Sequence, residues 1–235
     1  MREDELQKSK YFLLRGISAN TYKDARLPAW IKNELTNPNL KILDYGCGFG
    51  QTLIALRREN FHHIFGIDIE ATAIQHCKSS DLNVAEIDPA HLQNPFGFKF
   101  DVILLNHIIE HISKDKIIAT LAFIRNDLLA ANGKILLSVP NAQSNTGCYW
   151  AYEDWTHTTL FTSGSLFYVL RAAGFEKVNF LDIDCSAGKG FISWLRKPLL
   201  ALYRANHYFW NKVTCSYYHE PSPKIFSYEI KAMAR

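Results

Sequence analysis

The sequence predicts a doubly wound α/β fold, and three observations carry that expectation. Lys41–Gln51 reads K-I-L-D-Y-G-C-G-F-G-Q, an apolar pair ending in Asp44 and followed by glycines at 46, 48 and 50. Thr52–Arg58 continues with helical spacing, so a strand, a tight glycine turn and a helix open the domain. Further on, His63–Asp68 and Phe100–Asn106 are strand-like, the second a near-continuous apolar run of the kind buried on both faces of a parallel sheet. Helical segments stand between and after these strands, at Ala71–Cys77 and Ile117–Leu129.

Composition bounds the answer further. A chain of 235 residues with 48% apolar and 21% charged residues is long enough and apolar enough for one globular domain, 1–235. The net charge of +3 is too small to point to nucleic acid. Five cysteines, at 47, 77, 148, 185 and 215, are scattered and lack C-x-x-C spacing, so neither a disulfide framework nor a zinc site follows. Met1–Lys10 is polar and charged, with no signal-peptide pattern, and no apolar run approaches a membrane span. The expected location is cytoplasmic.

The glycine stretch also constrains its ligand. The dinucleotide fingerprint is G-x-G-x-x-G, but here the pattern is G-x-G-x-G, with Gln51 where the helix-packing third glycine would stand. Asp44 lies two positions before the first glycine, where its carboxylate would repel a pyrophosphate and accept an ammonium. Gln51 and Asp44 together oppose an NAD-linked oxidoreductase.

Before the first strand, Glu5–Leu14 and Leu27–Leu35 are helix candidates, with Pro28 near the start of the second and Asn37-Pro38-Asn39 as a turn signal. After the glycine turn, His63–Asp68 ends in an acid 22 residues beyond Gly46. That spacing suits a carboxylate taking both hydroxyls of a ribose, which makes Asp68 the ribose candidate. Leu82–Asp88 reads as a short third strand, its Asp88-Pro89 end also being a common turn. Phe100–Asn106 runs into His107-Ile-Ile-Glu110-His111, a literal match to the inverted zinc-protease pattern H-x-x-E-H. On a helix His107 and His111 would share a face, but a buried strand feeding a loop is the wrong context for that enzyme class.

Ile117–Leu129 then reads as a helix with apolar residues at 117, 118, 121, 124 and 128, and Ala131-Asn132-Gly133 as its stop. Lys134–Val139 is the fifth strand. Gln143–Leu160 is polar and dense in aromatic and hydrogen-bonding groups, leaving the strand end where loops usually carry function. Ser163–Ala173 is a helix closed by Gly174, and Lys177–Asp184 the sixth strand. Residues 185–224 form an insertion before a last strand at Lys224–Ala234. Within it Phe191–Phe209 has amphipathic spacing. It could pack on the domain, dock a partner subunit or a membrane surface (peripheral membrane contact through 191–209), or close over a phosphorylated acceptor.

The D-Y-G-C-G-F-G run resembles motif I of the class I S-adenosylmethionine-dependent methyltransferases, whose D-x-G-C-G-x-G it matches in full. Segment L-L-A-A-N-G-K-I-L-L-S-V-P-N is similar to that family's fifth-strand motif. E-D-W-T-H-T-T-L-F-T-S-G-S-L-F-Y-V-L-R-A-A-G-F resembles the ubiquinone-biosynthesis-like O-methyltransferases, many of which serve bacterial surface-glycan pathways. The resemblance covers about Lys41–Phe175 plus the last strand. It implies a Rossmann-like, seven-stranded, mostly parallel sheet with helices on both faces and an antiparallel last strand. It implies S-adenosyl-L-methionine as cofactor and S-adenosyl-L-homocysteine as product. Asp44 would lie near the methionyl amino group, Gly46, Cys47, Gly48 and Gly50 would back the cofactor, and Ile69 would lie against adenine. Asp88 would accept from the adenine amine, and Asn106 would approach the methionyl part. In such enzymes a leading segment like 1–40 often forms a cap over the cofactor, through Tyr11, Arg15, Tyr22 and Arg26 here. The Glu110-His111 pair recurs after the fourth strand of many small-molecule methyltransferases and would order the loop.

A hydroxyl acceptor needs a base, and histidine is the side chain that exchanges its proton near neutrality. His157 in the aromatic loop is the candidate, oriented by Asp154, with His107 in reserve. Tyr149, Tyr152 and Trp155 would line the acceptor. Glu153, Asp154 and His157 lack a diagnostic metal-binding spacing, so no metal is assigned. The expected reaction is methyl transfer to a hydroxyl of a small molecule, a sugar or nucleotide-sugar intermediate of capsule or lipopolysaccharide synthesis. A quinone, phenol or amine acceptor suits the aromatic lining as well. A catalytically idle binding module would have no need for Asp44, Gly46, Gly48 and Asp68 together. Nucleic-acid methylation is opposed by the low charge and by N-H-I-I where N-P-P-Y would stand.

Overall fold

The computed structural model describes residues 11–21, 24–185, 191–217 and 225–235. Seven strands form one sheet in the order β3-β2-β1-β4-β5-β7-β6: β1 (Ile42–Tyr45), β2 (Ile64–Asp68), β3 (Asn83–Glu86), β4 (Phe100–Asn106), β5 (Leu129–Pro140), β6 (Val178–Leu181) and β7 (Glu229–Ala234). The chain divides into two compact units, one through Leu105 with Asn126–Gly133, the other Asn106–Arg125 with Lys134–Arg235.

In the first unit β1 pairs in parallel with β2 (Ile42 with Ile64) and with β4 (Ile42 with Val102), and β2 pairs in parallel with β3. Helices α3 (Gln51–Arg58) and α4 (Ala71–Ser79) follow β1 and β2, and each buries its apolar stripe, Leu53 and Leu56 on one, Ala73, Ile74 and Cys77 on the other. All four residues of β1 are buried, as both-face coverage requires. Ahead of β1, α1 (Tyr11–Leu14) and α2 (Ala29–Lys32) are the described helices of the leading segment, and Pro28 caps α2 at its start. The expected helix at Glu5–Leu14 lies outside the described residues before Tyr11, as does Tyr22.

In the second unit β5 pairs antiparallel with β7, Ile135 opposite Ala234, and β7 pairs antiparallel with β6. Along β7 buried residues alternate with half-buried ones, the period of a strand with one dry face. Its helices are α5 (Ile117–Phe123), α6 (Tyr149–Glu153), α7 (Ser163–Ala172) and α8 (Phe191–Val213). A capping box fixes the start of α7: the Thr162 hydroxyl accepts from the Ser165 amide, and the Ser165 hydroxyl accepts from the Thr162 amide.

Several boundaries differ from expectation. The helix expected at Leu27–Leu35 is Ala29–Lys32, the third strand is Asn83–Glu86 rather than Leu82–Asp88, the sixth is Val178–Leu181 rather than Lys177–Asp184, and the last starts at Glu229. The helix from Ile117 ends at Phe123 and passes into a π-turn, Ile124–Leu128. β5 starts at Leu129, so Ala131-Asn132-Gly133 lies inside a strand. Gly133 is there for closeness, since a Cβ on it would meet the Asp101 carbonyl oxygen at 3.0 Å and a Leu129 methyl at 2.8 Å. The amphipathic helix of the insertion reaches Val213, beyond Phe209, with Pro198 inside it.

Candidate active site

In the first unit the turn after β1 is built by left-handed backbone. Gly46, Gly48 and Gly50 have φ of 82°, 51° and 82°. Gly50 caps α3, and a Cβ there would meet a Leu82 methyl at 2.6 Å and the Cys77 sulfur at 3.0 Å. The close packing that a third fingerprint glycine provides elsewhere is thus supplied by Gly50, and again by Gly66 of β2, whose absent Cβ leaves room for Cys47 and Leu53. Cys47 is buried with its side chain turned onto Gly66, its amide donates to the Ile67 carbonyl and its own carbonyl accepts from the Gly50 amide, so it builds the turn.

Asp44 and Asp68 come together at this turn. The Gly48 amide donates to Asp68 Oδ2 at 2.8 Å, and the Glu70 amide to Oδ1 at 2.9 Å. Burial pushes the Asp68 carboxyl up, and the backbone amides of Gly48, Glu70 and Ile69 pull it only part of the way back. Asp44 is more extreme. Burial raises it to about 8 against a hydrogen bond from Thr52, with the nearby Asp68 charge adding to the rise. A buried acid pushed this high favours a cation beside it, and the ammonium group of S-adenosylmethionine would meet that need. The residues therefore fit the cofactor that the sequence implies.

Ile69 is half exposed at the end of β2. Asp88 lies two residues past β3 and is spent on its turn, Oδ1 accepting from the Ala90 amide and Oδ2 pairing with His91 Nδ1 at 2.9 Å, the bond that holds its carboxyl below the usual range. From the leading segment it is Phe12, absent from the sequence candidates, that covers the glycine turn. Its ring lies 3.3 Å from where a Gly48 Cβ would be and 5.0 Å from the Phe49 ring, centre to centre.

In the second unit, Asn106 at the end of β4 accepts from the Ser138 hydroxyl at 3.4 Å. His107 follows with φ of 54°, and Ile109–His111 is a single 3₁₀ turn. His107 and His111 therefore do not share a helical face, and the zinc-protease geometry is absent. His107 is instead gripped at both nitrogens, Nδ1 by Glu110 at 3.1 Å and Nε2 by Glu229 at 2.8 Å. Burial alone would lower its pKa, but the two carboxylates outweigh that and hold it at about 10. An imidazolium with both N–H groups committed has no lone pair to take a proton at neutral pH, so the reserve-base role does not fit His107.

His157 has a different partner from the one expected. Its Nδ1 lies 2.5 Å from the Trp150 carbonyl oxygen, which can only accept, so the ring is held with hydrogen on Nδ1 and the lone pair on Nε2. Asp154 Oδ2 is 4.0 Å from Nε2, too long for a hydrogen bond. Asp154 instead accepts the Thr156 amide and hydroxyl at Oδ1, closing an Asx turn. That hydroxyl, having given its hydrogen away, accepts from His111 Nδ1 at 2.8 Å. The His111 and His157 rings lie 4.7 Å apart, and burial lowers the His111 pKa, keeping it neutral.

Glu110 completes the arrangement. Its carbonyl accepts the Thr158 amide, tying the loop after β4 to the aromatic segment. Its side chain is fully buried, and Oε2 has no hydrogen-bond partner. Ligand atoms of Glu110, His111 and His157 lie within 4.8 Å of one another, the grouping among the described residues that could hold a metal ion. It replaces the Glu153–Asp154–His157 set considered from sequence. Tyr149, Tyr152 and Trp155 stand exposed beside it in sequence, Trp155 at 82%.

Comparison with known proteins agrees with this geometry. A methyltransferase-domain family profile matches residues 19–179. A ribosomal protein L11 methyltransferase from Methylobacillus flagellatus is 32% identical over 79 residues, 33% of this chain; the chain spans 26% of that relative's length in the match. Among solved structures, a SAM-dependent methyltransferase from Archaeoglobus fulgidus aligns over 95% of this chain and 98% of its own, with 19% identity and a TM-score of 0.60. The magnesium protoporphyrin IX methyltransferase from Synechocystis, solved with bound S-adenosylhomocysteine, aligns over 88% of this chain and 78% of its own, with 14% identity and a TM-score of 0.52. With a cofactor turn of this construction and a family match over more than half its length, the chain belongs to the methyltransferase-domain family and has the fold of the class I S-adenosylmethionine-dependent methyltransferases.

Proposed function

We propose that this enzyme methylates a hydroxyl of a small molecule, a sugar or nucleotide-sugar intermediate of a surface polysaccharide. S-adenosylmethionine supplies a methyl group already activated by the sulfonium charge, so the protein's work is to position the acceptor and take its proton. Asp44 and Asp68 hold the cofactor at its amino and ribose ends, and the backbone of Gly46–Gly50 lies against it. His157 takes the acceptor's proton at Nε2. The observation that carries this reading is the Nδ1 contact to the Trp150 carbonyl at 2.5 Å, which fixes the tautomer a base requires. The test is an acceptor screen with labelled S-adenosylmethionine, beginning with nucleotide-linked sugars and including catechols and amines. Transfer to nitrogen only, or to a phenol only, overturns the sugar assignment.

A second reading is favoured by the unpartnered Glu110 Oε2. A divalent cation held by Glu110, His111 and His157 would acidify a bound hydroxyl in place of a protein base. Chelation followed by readdition of Mg²⁺ or Mn²⁺ separates the two: activity indifferent to chelator leaves His157 as the base.

A further inference from the structure

Helix α8 carries more apolar surface outward than a water-facing helix has use for. Phe191, Leu195, Leu199, Leu202, Phe209 and Val213 follow one another at intervals of four, four, three, seven and four, and so lie on one stripe. All six are exposed, Phe191 to 74% and Leu202 to 69%, and Trp194 and Trp210 are exposed beside them. The opposite flank docks the helix: the Tyr203 hydroxyl donates to Asn145 Oδ1 at 2.7 Å, and the Tyr203 and His207 rings each lie 5.0 Å from Phe226. Arg204 pairs with Asp184, and Arg196 donates to the Cys185 carbonyl. The stripe is thus held outward by a seated helix.

Charge says what would cover it. Among its 23 residues α8 has Arg196, Lys197, Arg204 and Lys212 and no acid at all. At 100° per residue Arg196 and Lys212 border the stripe on its two sides. Tryptophans with basic residues flanking an apolar stripe are the composition of a helix lying in a lipid headgroup layer. Beside the stripe an open groove of about 440 Å³ is walled mainly by Leu195, Leu199, Leu200 and Phe226, with Asn145 and Arg196 also on its wall, a mostly apolar lining with a cation that suits an acyl chain below an anionic headgroup. No helix among the described residues is long and apolar enough to cross a membrane. We propose that α8 is a peripheral docking element for an anionic lipid surface.

The test uses the full chain with vesicles of phosphatidylcholine alone or mixed equally with phosphatidylglycerol. The expected result is co-sedimentation with the anionic vesicles, a blue shift of tryptophan emission, and binding weakened by salt. Leu199→Asp with Leu202→Asp, both at exposed positions, should reduce vesicle binding by about tenfold or more while the melting temperature is kept. Lys197→Glu with Lys212→Glu should abolish the preference for anionic lipid. Equal binding to both vesicle types overturns the proposal, as does binding untouched by the aspartates. A concentration-dependent dimer without vesicle binding, dissolved by the same aspartates, would assign the stripe to a second copy of the chain. None of these outcomes depends on which acceptor is methylated.

Discussion

Gly48 donates its amide to the Asp68 carboxylate across 2.8 Å, so the turn after β1 and the acid ending β2 are tied together directly. The carboxylate proposed to take the ribose also holds the glycine turn in place, so under that proposal binding and preorganisation share one side chain. The expected outcome for Asp68→Ala is a loss of S-adenosylhomocysteine affinity of about 10- to 100-fold, the worth of charged hydrogen bonds. Isothermal titration measures it. Asp68→Asn, which can still accept from Gly48, should recover part of the loss, and unchanged affinity in both removes Asp68 from the site.

Asp44, held at about 8, makes both stability and binding depend on pH. The folded, cofactor-free protein binds this proton more tightly than the unfolded chain does. Stability from this group is therefore highest below the ordinary carboxylate range and falls as pH rises toward 8. Pairing with an ammonium needs the ionised acid, so cofactor binding should strengthen over the same window and release a proton. Titration in buffers of different ionisation enthalpy detects that proton. Asp44→Asn should flatten the stability slope and eliminate the release.

For His157→Ala the expected effect is a drop in turnover of about 10²–10⁴ with cofactor affinity retained. His157→Asn separates chemistry from packing, since an asparagine amide sits where Nδ1 does and can donate to the Trp150 carbonyl but cannot act as a base. Recovery of activity in the asparagine variant would make the residue structural.

His107 sets an opposite pH trend from a base. Its folded pKa of about 10 lies above the ordinary histidine value, so its contribution is complete below that value and is lost as pH rises through about 10. The stability gap between the wild type and His107→Gln, read from denaturant unfolding, should be widest at pH 6 and narrow steadily toward pH 10. A gap that does not change with pH would mean the ion pairs with Glu110 and Glu229 contribute little.

Gly50→Ala and Gly97→Ala distinguish backbone strain from crowding. Both glycines have positive φ, 82° and 72°, but a Cβ at Gly97 meets nothing within 4 Å. Gly97→Ala should cost about 1–2 kcal/mol from conformation alone. Gly50→Ala should cost more, by about 1–3 kcal/mol of overpacking against Leu82 and Cys77. Thermal denaturation of the two variants gives the difference directly.

What could be read in advance was what local sequence determines. A strand, three alternating glycines and a helix fit within eighteen residues, with Asp44 inside that pattern, and Asp68 ends the next strand at a spacing that follows from it. What escaped was set by partners far along the chain or by groups any residue carries. Glu229 meets His107 across 122 positions, and no spacing rule joins them. The group that fixes the His157 tautomer is a backbone carbonyl, invisible to a reading of side chains, whereas Asp154, three residues away, looked the natural partner. Phe12 stands outside the candidates Tyr11, Arg15, Tyr22 and Arg26 because each of those can hydrogen-bond to a ligand, while the covering contact is between two rings without polar atoms. Ala-Asn-Gly at 131–133 has the composition of a helix stop, yet Gly133 serves a close approach to Asp101.

The position of β7 has a consequence for how the protein is made. It follows β6 in the chain yet lies between β5 and β6, so neither strand has that neighbour until β7 has left the ribosome. Until then β6 and one edge of β5 present open backbone, the kind of surface that invites aggregation. The earlier unit, whose β1, β2 and β3 pair in parallel with one another, can assemble while synthesis continues. Glu229 arrives with β7, so the His107 grip closes at the same late step. Nascent chains stalled before Glu229 should lean on chaperones, and slow translation through α8 would lengthen that dependence.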